Sequence, residues 1–443
     1  MSEEPIKLDE RSMPMNSNPD VIVIGAGLSG LTAAWQLAQR GHRVRVVTKG
    51  WGATHWHSGC IDVLGYHPIE SDTPVATPRD AVADLIAAQP HHPYALVGLD
   101  GLAAALDAFA TLCRDAGYPL HGTLDRQWLL PSAVGAFRPT CLAPETMIAG
   151  DLTRHDTEPM LIVGFERLND FYPELIADNL IKQGHLARGT LVDTPTLRRQ
   201  KIVNTLVLAR LFEQAAFRAE FIAAVKPKLG KAQRIGVPAV LGFENAIAIK
   251  NELEAAFERP IFEIPTVPPS VPGMRLHRIL TRAIERAGGD IRTGMQVVAA
   301  DAEGDRATTI WSEAAARRVP HHAEVFVLAT GGILGGGITT TYTGDVREVV
   351  FGLPVNAPTD RMAWLHRDFL DARGHPIFRA GLQVDTAFRP LADGAPRYAN
   401  VHAIGTTLDA CEPLRERSFE GIALATGFAV AHHVQLANHS TSA

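Results

Sequence analysis

Cysteine is scarce in this sequence and scattered where it occurs. Cys60, Cys113, Cys141 and Cys411 are the only four in 443 residues. No C-x-x-C spacing is present, which excludes an iron–sulfur cluster or a structural zinc site of that type; no metal site is expected. Isolated thiols suit a reducing compartment, so a cytoplasmic protein is expected. An excess of positive charge is also missing. The net charge is −6, and nucleic acid is not an expected partner. No uninterrupted apolar run reaches the length of a membrane span. Membrane contact is therefore expected only through a partner, at the inner face. Residues 1–19 are polar, lack the apolar stretch of a signal peptide, and read as a disordered extension.

What is present is the composition of a globular α/β protein, 46% hydrophobic and 20% charged. The length predicts two domains. Val21-Ile22-Val23-Ile24 is a short β-branched run, as in a buried parallel strand. Leu28 to Arg40 reads as a helix with Gly41 at its C′ position, and Val44 to Thr48 as the next strand. Further helices are expected over 101–116, 170–183, 244–257, 275–287 and 421–434, with strands over 161–164, 235–241, 291–300, 324–329 and 400–405. Pro265 to Pro269 reads as a rigid linker, and Gly331 to Gly337 as a glycine-rich turn.

The first strand runs straight into Gly25-Ala26-Gly27-Leu28-Ser29-Gly30, a G-x-G-x-x-G motif that opens the first helix. Gly25 permits the tight turn, Gly27 lets a pyrophosphate approach the backbone, and Gly30 lets helix and strand pack closely. The helix N-terminus then faces the anion. The second strand departs from the dinucleotide pattern. It ends in Val47-Thr48-Lys49, where a ribose-binding carboxylate is expected. Thr48 can bond a hydroxyl more weakly, and Lys49 suits a phosphate.

The next segment is Gly50-Trp51-Gly52-Ala53-Thr54-His55-Trp56-His57-Ser58-Gly59-Cys60-Ile61-Asp62-Val63-Leu64. With the glycine motif it resembles the B subunit of the anaerobic glycerol-3-phosphate dehydrogenase. It is similar to that family's G-x-x-A-x-H-x-x-S-G-x-x-D-x-L pattern. His92 to Gly98, the trio Gly135, Arg138 and Thr140, and Pro265 to Leu276 resemble further family segments, as do Ala329-Thr330-Gly331, Arg347-Glu348, Arg389-Pro390 and Ala403-Ile404-Gly405.

The resemblance implies an α/β fold: a Rossmann-type flavin-binding domain (20–139, 260–336 and 396–440) interrupted by a capping or substrate domain (140–259 and 337–395). It implies oxidation of sn-glycerol 3-phosphate to dihydroxyacetone phosphate, with electrons passed toward quinone. It also implies two companions: a larger flavoprotein, the A component, and an iron–sulfur protein, the C component, which meets the membrane. The cofactor it implies is FMN, with FAD as the alternative. A non-catalytic electron-relay role, and a fumarate reductase-like or ketosteroid dehydrogenase-like enzyme, remain open on the same fold.

Within this frame Ser58 and Gly59 let a flat ring lie against the backbone. His55, like His57, can hydrogen-bond a flavin. Gly331, Gly405 and Gly421 join Gly25, Gly27, Gly30, Thr48 and Lys49 as cofactor-binding candidates. A doubly charged phosphate ester calls for arginines, and Arg138, Arg347, Arg361 and Arg389 are the candidates. Arg275 reads equally as an interdomain strut. One departure from the family lies near the C-terminus. Asp409 and Ala410 replace paired glycines, and Arg417-Ser418-Phe419-Glu420 replaces a later glycine run. Carboxylates at Asp409 and Glu420 are expected to repel an anionic flavin group, with Arg415 and Arg417 available to neutralise them.

Overall fold

In the computed structural model, residues 18–153 and 158–436 are described. The extension over 1–19, save its last two residues, and the segment 437–440 lie outside them. The β-branched run forms a strand, Val21–Ile24, with every side chain buried. It is the centre of a five-stranded sheet. On one side Ile24 pairs with Val47 of the parallel strand Val44–Val47, which pairs in turn with Asp290–Arg292. On the other, Ile24 pairs with Leu328 of Val325–Leu328, beside which Val401–Ala403 runs parallel. Apolar side chains fill both faces, as a parallel sheet covered by helices requires. Leu28–Gln39, Val271–Arg286 and Phe419–Val430 supply the covering helices, and their buried faces share one core with the sheet.

The second sheet is also parallel, in the order 261–264, 234–238, 160–165, 187–192. Its core is separate and rich in phenylalanine, with Phe165, Phe212, Phe217, Phe221 and Phe257 in ring contact. Ile261–Ile264 belongs to this sheet, whereas the division at 260 assigned it to the flavin domain. Residues 337–395 contribute no strand to the second sheet: Val350, Leu353, Leu382 and Phe388 are buried in the main core, while Trp364, Ile377 and Ala380 form a small cluster apart.

The strand read over 291–300 is two strands. Asp290–Arg292 completes the parallel sheet, and Gln296–Glu303 opens an antiparallel three-stranded sheet with Arg306–Ala314 and Arg317–His322. The helix read from 101 starts earlier, at Pro93, and Gly98 breaks it with a non-helical φ of 74°. By length and composition Pro93–Asp115 is apolar enough to cross a membrane. That break interrupts it, and Leu102, Leu106, Phe109 and Cys113 are buried in the main core.

Candidate functional site

The carboxyl ends of the central strands carry three glycine turns. Gly25 takes φ +113°, and a side chain there would meet the Ala329 carbonyl at 2.3 Å. Gly30 lies as close to the Gly25 carbonyl, 2.1 Å for a notional Cβ. Gly27 differs from both. Nothing lies within 4 Å of where its Cβ would be, and it caps a helix with no acidic residue in its first turn. The turn thus leaves room above a helix N-terminus, as a pyrophosphate requires. Gly331 (φ +76°) and Gly405 (φ +69°) form the neighbouring turns, joined by the Gly332 N–H donating to Thr406 Oγ1 at 3.3 Å.

Thr48 is buried and donates its hydroxyl to the Gly50 carbonyl at 2.7 Å, while Lys49 is exposed. The following loop folds back over the first turn. At Gly52 an added Cβ would sit 2.6 Å from the Gly27 nitrogen. From there the loop passes Gly59, packed on Pro272, and reaches Asp62.

Asp62 is a lone acid in an apolar run and is buried, so it needs a cation. Arg138, on the strand Phe137–Thr140, bonds it directly, and Arg417 Nη1 stands 4.0 Å from the same carboxylate oxygen. The Asp62 carbonyl accepts from the Gly421 N–H at 3.0 Å, which seats the first turn of Phe419–Val430 on this loop. Glu420 in that turn is buried. Desolvation, then the nearby Asp62, pushes its carboxyl up to about 8.

His57 Nδ1 is 4.0 Å from Glu420 and accepts the Gly59 N–H at 3.0 Å. Burial first, then Arg138, lowers the His57 imidazole to about 4. The ring is therefore neutral near pH 7, with Nδ1 an acceptor and its proton on Nε2. Cys60 beside it is a thiol, raised to about 11 by burial. His57 Nε2, Asp62 Oδ1, Tyr94 OH, Arg138 Nε and Arg417 Nη1 are all buried without a hydrogen-bond partner. Buried polar groups are ordinarily satisfied, so such a group marks where a ligand or water completes the bonding.

The residues proposed from sequence divide between this cluster and other places. Arg138, Ser58, Gly59 and Gly421 fall in it or on its border. His55 does not: its ring stacks on Trp51 at 5.6 Å and meets His277 edge-on at 4.6 Å. Arg389 is paired with Asp385 at 2.7 Å. Arg361 donates to the Tyr342 carbonyl at 2.7 Å, and Arg347 is exposed on the strand Val346–Glu348. The four arginines therefore do not form one clamp. Arg275 is a strut. It holds Glu263 through two bonds of 2.7 and 2.9 Å and also bonds the Gly242 carbonyl and the Tyr118 hydroxyl.

Asp409 and Glu420, the two carboxylates expected to repel an anionic flavin group, have different surroundings. Asp409 accepts from Asn356 Nδ2 at 2.8 Å. Glu420, with its raised pKa, is protonated near pH 7 and stands in the field of Arg138. Arg417 serves Asp62, and Arg415 donates to the Ala372 carbonyl. Of this cluster, His57, Arg417 and Glu420 were named from sequence, Asp62 entered only within the family pattern, and Tyr94 was not singled out. For Asp62 the signal was available: an acid between Ile61 and Val63 cannot be buried without a cation.

The family profile of the FAD binding domain matches residues 20–416. A Halobacterium salinarum protein, described as the probable B subunit of anaerobic glycerol-3-phosphate dehydrogenase, is 34% identical over 422 residues, covering 93% of this chain and 96% of its own. Its Pectobacterium atrosepticum counterpart is 30% identical, covering 94% and 98%. Among solved structures, a 3-ketosteroid Δ4-(5α)-dehydrogenase from Rhodococcus jostii RHA1 matches at 13% identity and TM-score 0.40, over 93% of this chain and 96% of that one. Glycine turns that fit a flavin nucleotide, an open helix N-terminus and these full-length relatives lead to one conclusion: the chain belongs to the flavoprotein family of anaerobic glycerol-3-phosphate dehydrogenase B subunits.

Proposed function

We propose that this chain is the flavin-carrying subunit of an enzyme that oxidises sn-glycerol 3-phosphate to dihydroxyacetone phosphate and passes the electrons toward quinone. The observation that carries the reading is the buried cluster of His57, Tyr94, Arg138 and Arg417, whose unpartnered polar atoms stand where a loop arrives from the Gly27 turn. A bound flavin would supply the two-electron acceptor for the alcohol carbon. The Gly27 turn and the helix behind it would hold the phosphates. His57 Nε2 carries an N–H that is available to donate to a bound ligand. Arg138 and Arg417 set a positive field, and Glu420 holds a proton next to it. The intact G-x-G-x-x-G turn suits a pyrophosphate and so favours FAD over FMN; mass analysis of cofactor released from the purified protein decides between them. The companions proposed are a larger A-type flavoprotein and an iron–sulfur C-type protein, with membrane contact through them and a cytoplasmic location.

A second reading, an electron relay with the chemistry on a partner, draws support from the arginines. Arg138 is already matched by Asp62, while Arg347, Arg361 and Arg389 lie outside the cluster. Anaerobic addition of glycerol 3-phosphate separates the two readings. Bleaching of the flavin in the chain alone supports catalysis here. Bleaching only in the presence of the A-type flavoprotein moves the substrate site to that partner.

A further inference from the structure

Helix Val271–Arg286 carries two rows of side chains. Leu276, Leu280 and Ile284 recur every fourth residue and are buried in the main core. Arg278, Arg282 and Arg286 recur at the same spacing two residues on, so they share another face. Such a row ordinarily lies in water. Here it forms one wall of a cavity of about 240 Å³. A second wall is the end of helix Pro93–Asp115, with Asp115 itself. The third is the turn after strand Arg234–Pro238, where Phe243 and Glu244 lead into the helix Ala246–Phe257. That helix buries Ile249, Leu253 and Phe257 in the second core, so the cavity stands where the two cores meet. The bonded pair Arg275 and Tyr118 lines it as well.

The charges of the arginine row are not balanced. Glu263 takes up Arg275, while Glu244 bonds Arg278 and stands 3.7 Å from Arg282. Arg286 has no ion pair among the described residues, and neither has Asp115. One carboxylate thus serves two guanidiniums, and a third has none. Burial lowers the Arg278 pKa; Glu244 opposes this, and Arg282 and Arg275 add to it. The turn's own N–H groups are already used, since those of Phe243, Glu244 and Asn245 donate to Glu213 Oε1. The seat for an anion is therefore the arginine row. A carboxylate is filled by a single arginine, as Glu263 is by the two bonds from Arg275. The three oxygens of a phosphate reach several guanidiniums at once. Asp115, on another wall, calls for a hydrogen-bond donor on the same ligand. The volume is below the roughly 300–1,000 Å³ of pockets for drug-sized molecules, so the ligand is small.

We propose that this cavity binds a small hydroxylated phosphate monoester and shares no residue with the buried His57 cluster. Arg282 and Arg286 hold the phosphate, and Asp115 accepts from a hydroxyl. Because its walls come from both cores, an occupied cavity clamps helix Ala246–Phe257 to helix Val271–Arg286. The test is calorimetric titration of the full, flavin-loaded chain with glycerol 2-phosphate, inorganic phosphate and glycerol. The variants are Arg282→Gln with Arg286→Gln, and Asp115→Asn. Arg317→Gln with Arg318→Gln, both exposed on the strand Arg317–His322, removes the same charge elsewhere as the control. The wild type is expected to bind glycerol 2-phosphate, inorganic phosphate more weakly, and glycerol not at all. The arginine variant should bind the ester about 30-fold more weakly. Asp115→Asn should bring the ester down to the level of phosphate, and the control should match the wild type. The ester should raise the thermal midpoint of wild type and control, but not of the arginine variant. Undiminished ester binding by the arginine variant, or equal loss in the control, overturns the proposal. So does a wild type that binds phosphate as tightly as the ester, which marks an ion held by charge alone. Flavin bleaching by glycerol 3-phosphate should be the same in wild type and arginine variant; its loss in the variant alone would place these arginines in the substrate site and overturn a separate one.

Discussion

At the residue scale, Gly27 and Glu420 show how one position can be read in opposite ways. Gly27 has φ −73° and ψ 176°, which any residue adopts, and open space where a side chain would go. Gly27→Val is therefore expected to fold, at a cost of order 1 kcal/mol for a poorer cap, and to lose flavin. Normal flavin content in the purified variant would remove the phosphate role from this turn. Glu420 carries the reverse lesson, since its formal charge is absent where the sequence suggests it. Below its ordinary value of 4.5 the carboxyl is protonated in both the folded and unfolded states. Between 4.5 and about 8 only the unfolded chain ionises, so the contribution of this group to stability declines as pH rises, and above 8 it declines no further. Denaturant titrations of wild type and Glu420→Gln should therefore agree near pH 4, with the variant the more stable at pH 8. Equal stabilities at both pH values would show that the carboxyl is not held neutral.

At the scale of elements, the first βαβ unit was legible because its information is local: β-branched residues, then the glycine motif, then an apolar helix ended by Gly41. The helix Val271–Arg286 was legible for the same reason, though its start was not. Ser270 Oγ accepts the Gly273 N–H at 3.0 Å, which puts the N-cap directly after the proline-rich linker and the first turn ahead of Arg275. Ser270→Ala should destabilise the protein by about 1 kcal/mol; a change within error in denaturant midpoint would mean that the packing of Pro272 and Gly273 alone sets this start. The strands Arg306–Ala314 and Arg317–His322 were illegible. Their residues are largely polar and half exposed, so no apolar run marks them, and only pairing across the sheet defines them.

At the scale of the molecule, the two cores are joined through a buried ion pair. Arg275 on the flavin side and Glu263 on the second sheet are both almost wholly buried. Removing one partner strands the other in a low dielectric. Arg275→Ala should cost about 3–5 kcal/mol, and Arg275→Met combined with Glu263→Leu should recover most of it. If Arg275→Ala unfolds at the wild-type denaturant concentration, the strut contributes nothing to the joint. By itself the sequence determined the nucleotide-binding unit, the family, and the types of residue the site would use, because those are written in contiguous motifs. Only the tertiary structure decided which charges meet. Asp62 and Arg138 lie 76 positions apart, and Asp62 and Glu420 are farther still. Whether a carboxyl is ionised depends on neighbours and burial that exist once the chain has folded. The same holds for His57, buried, over His55, and for the separation of Arg347, Arg361 and Arg389 from Arg138. Spacing along the chain could name these residues, but their distances in space are a property of the packed cores.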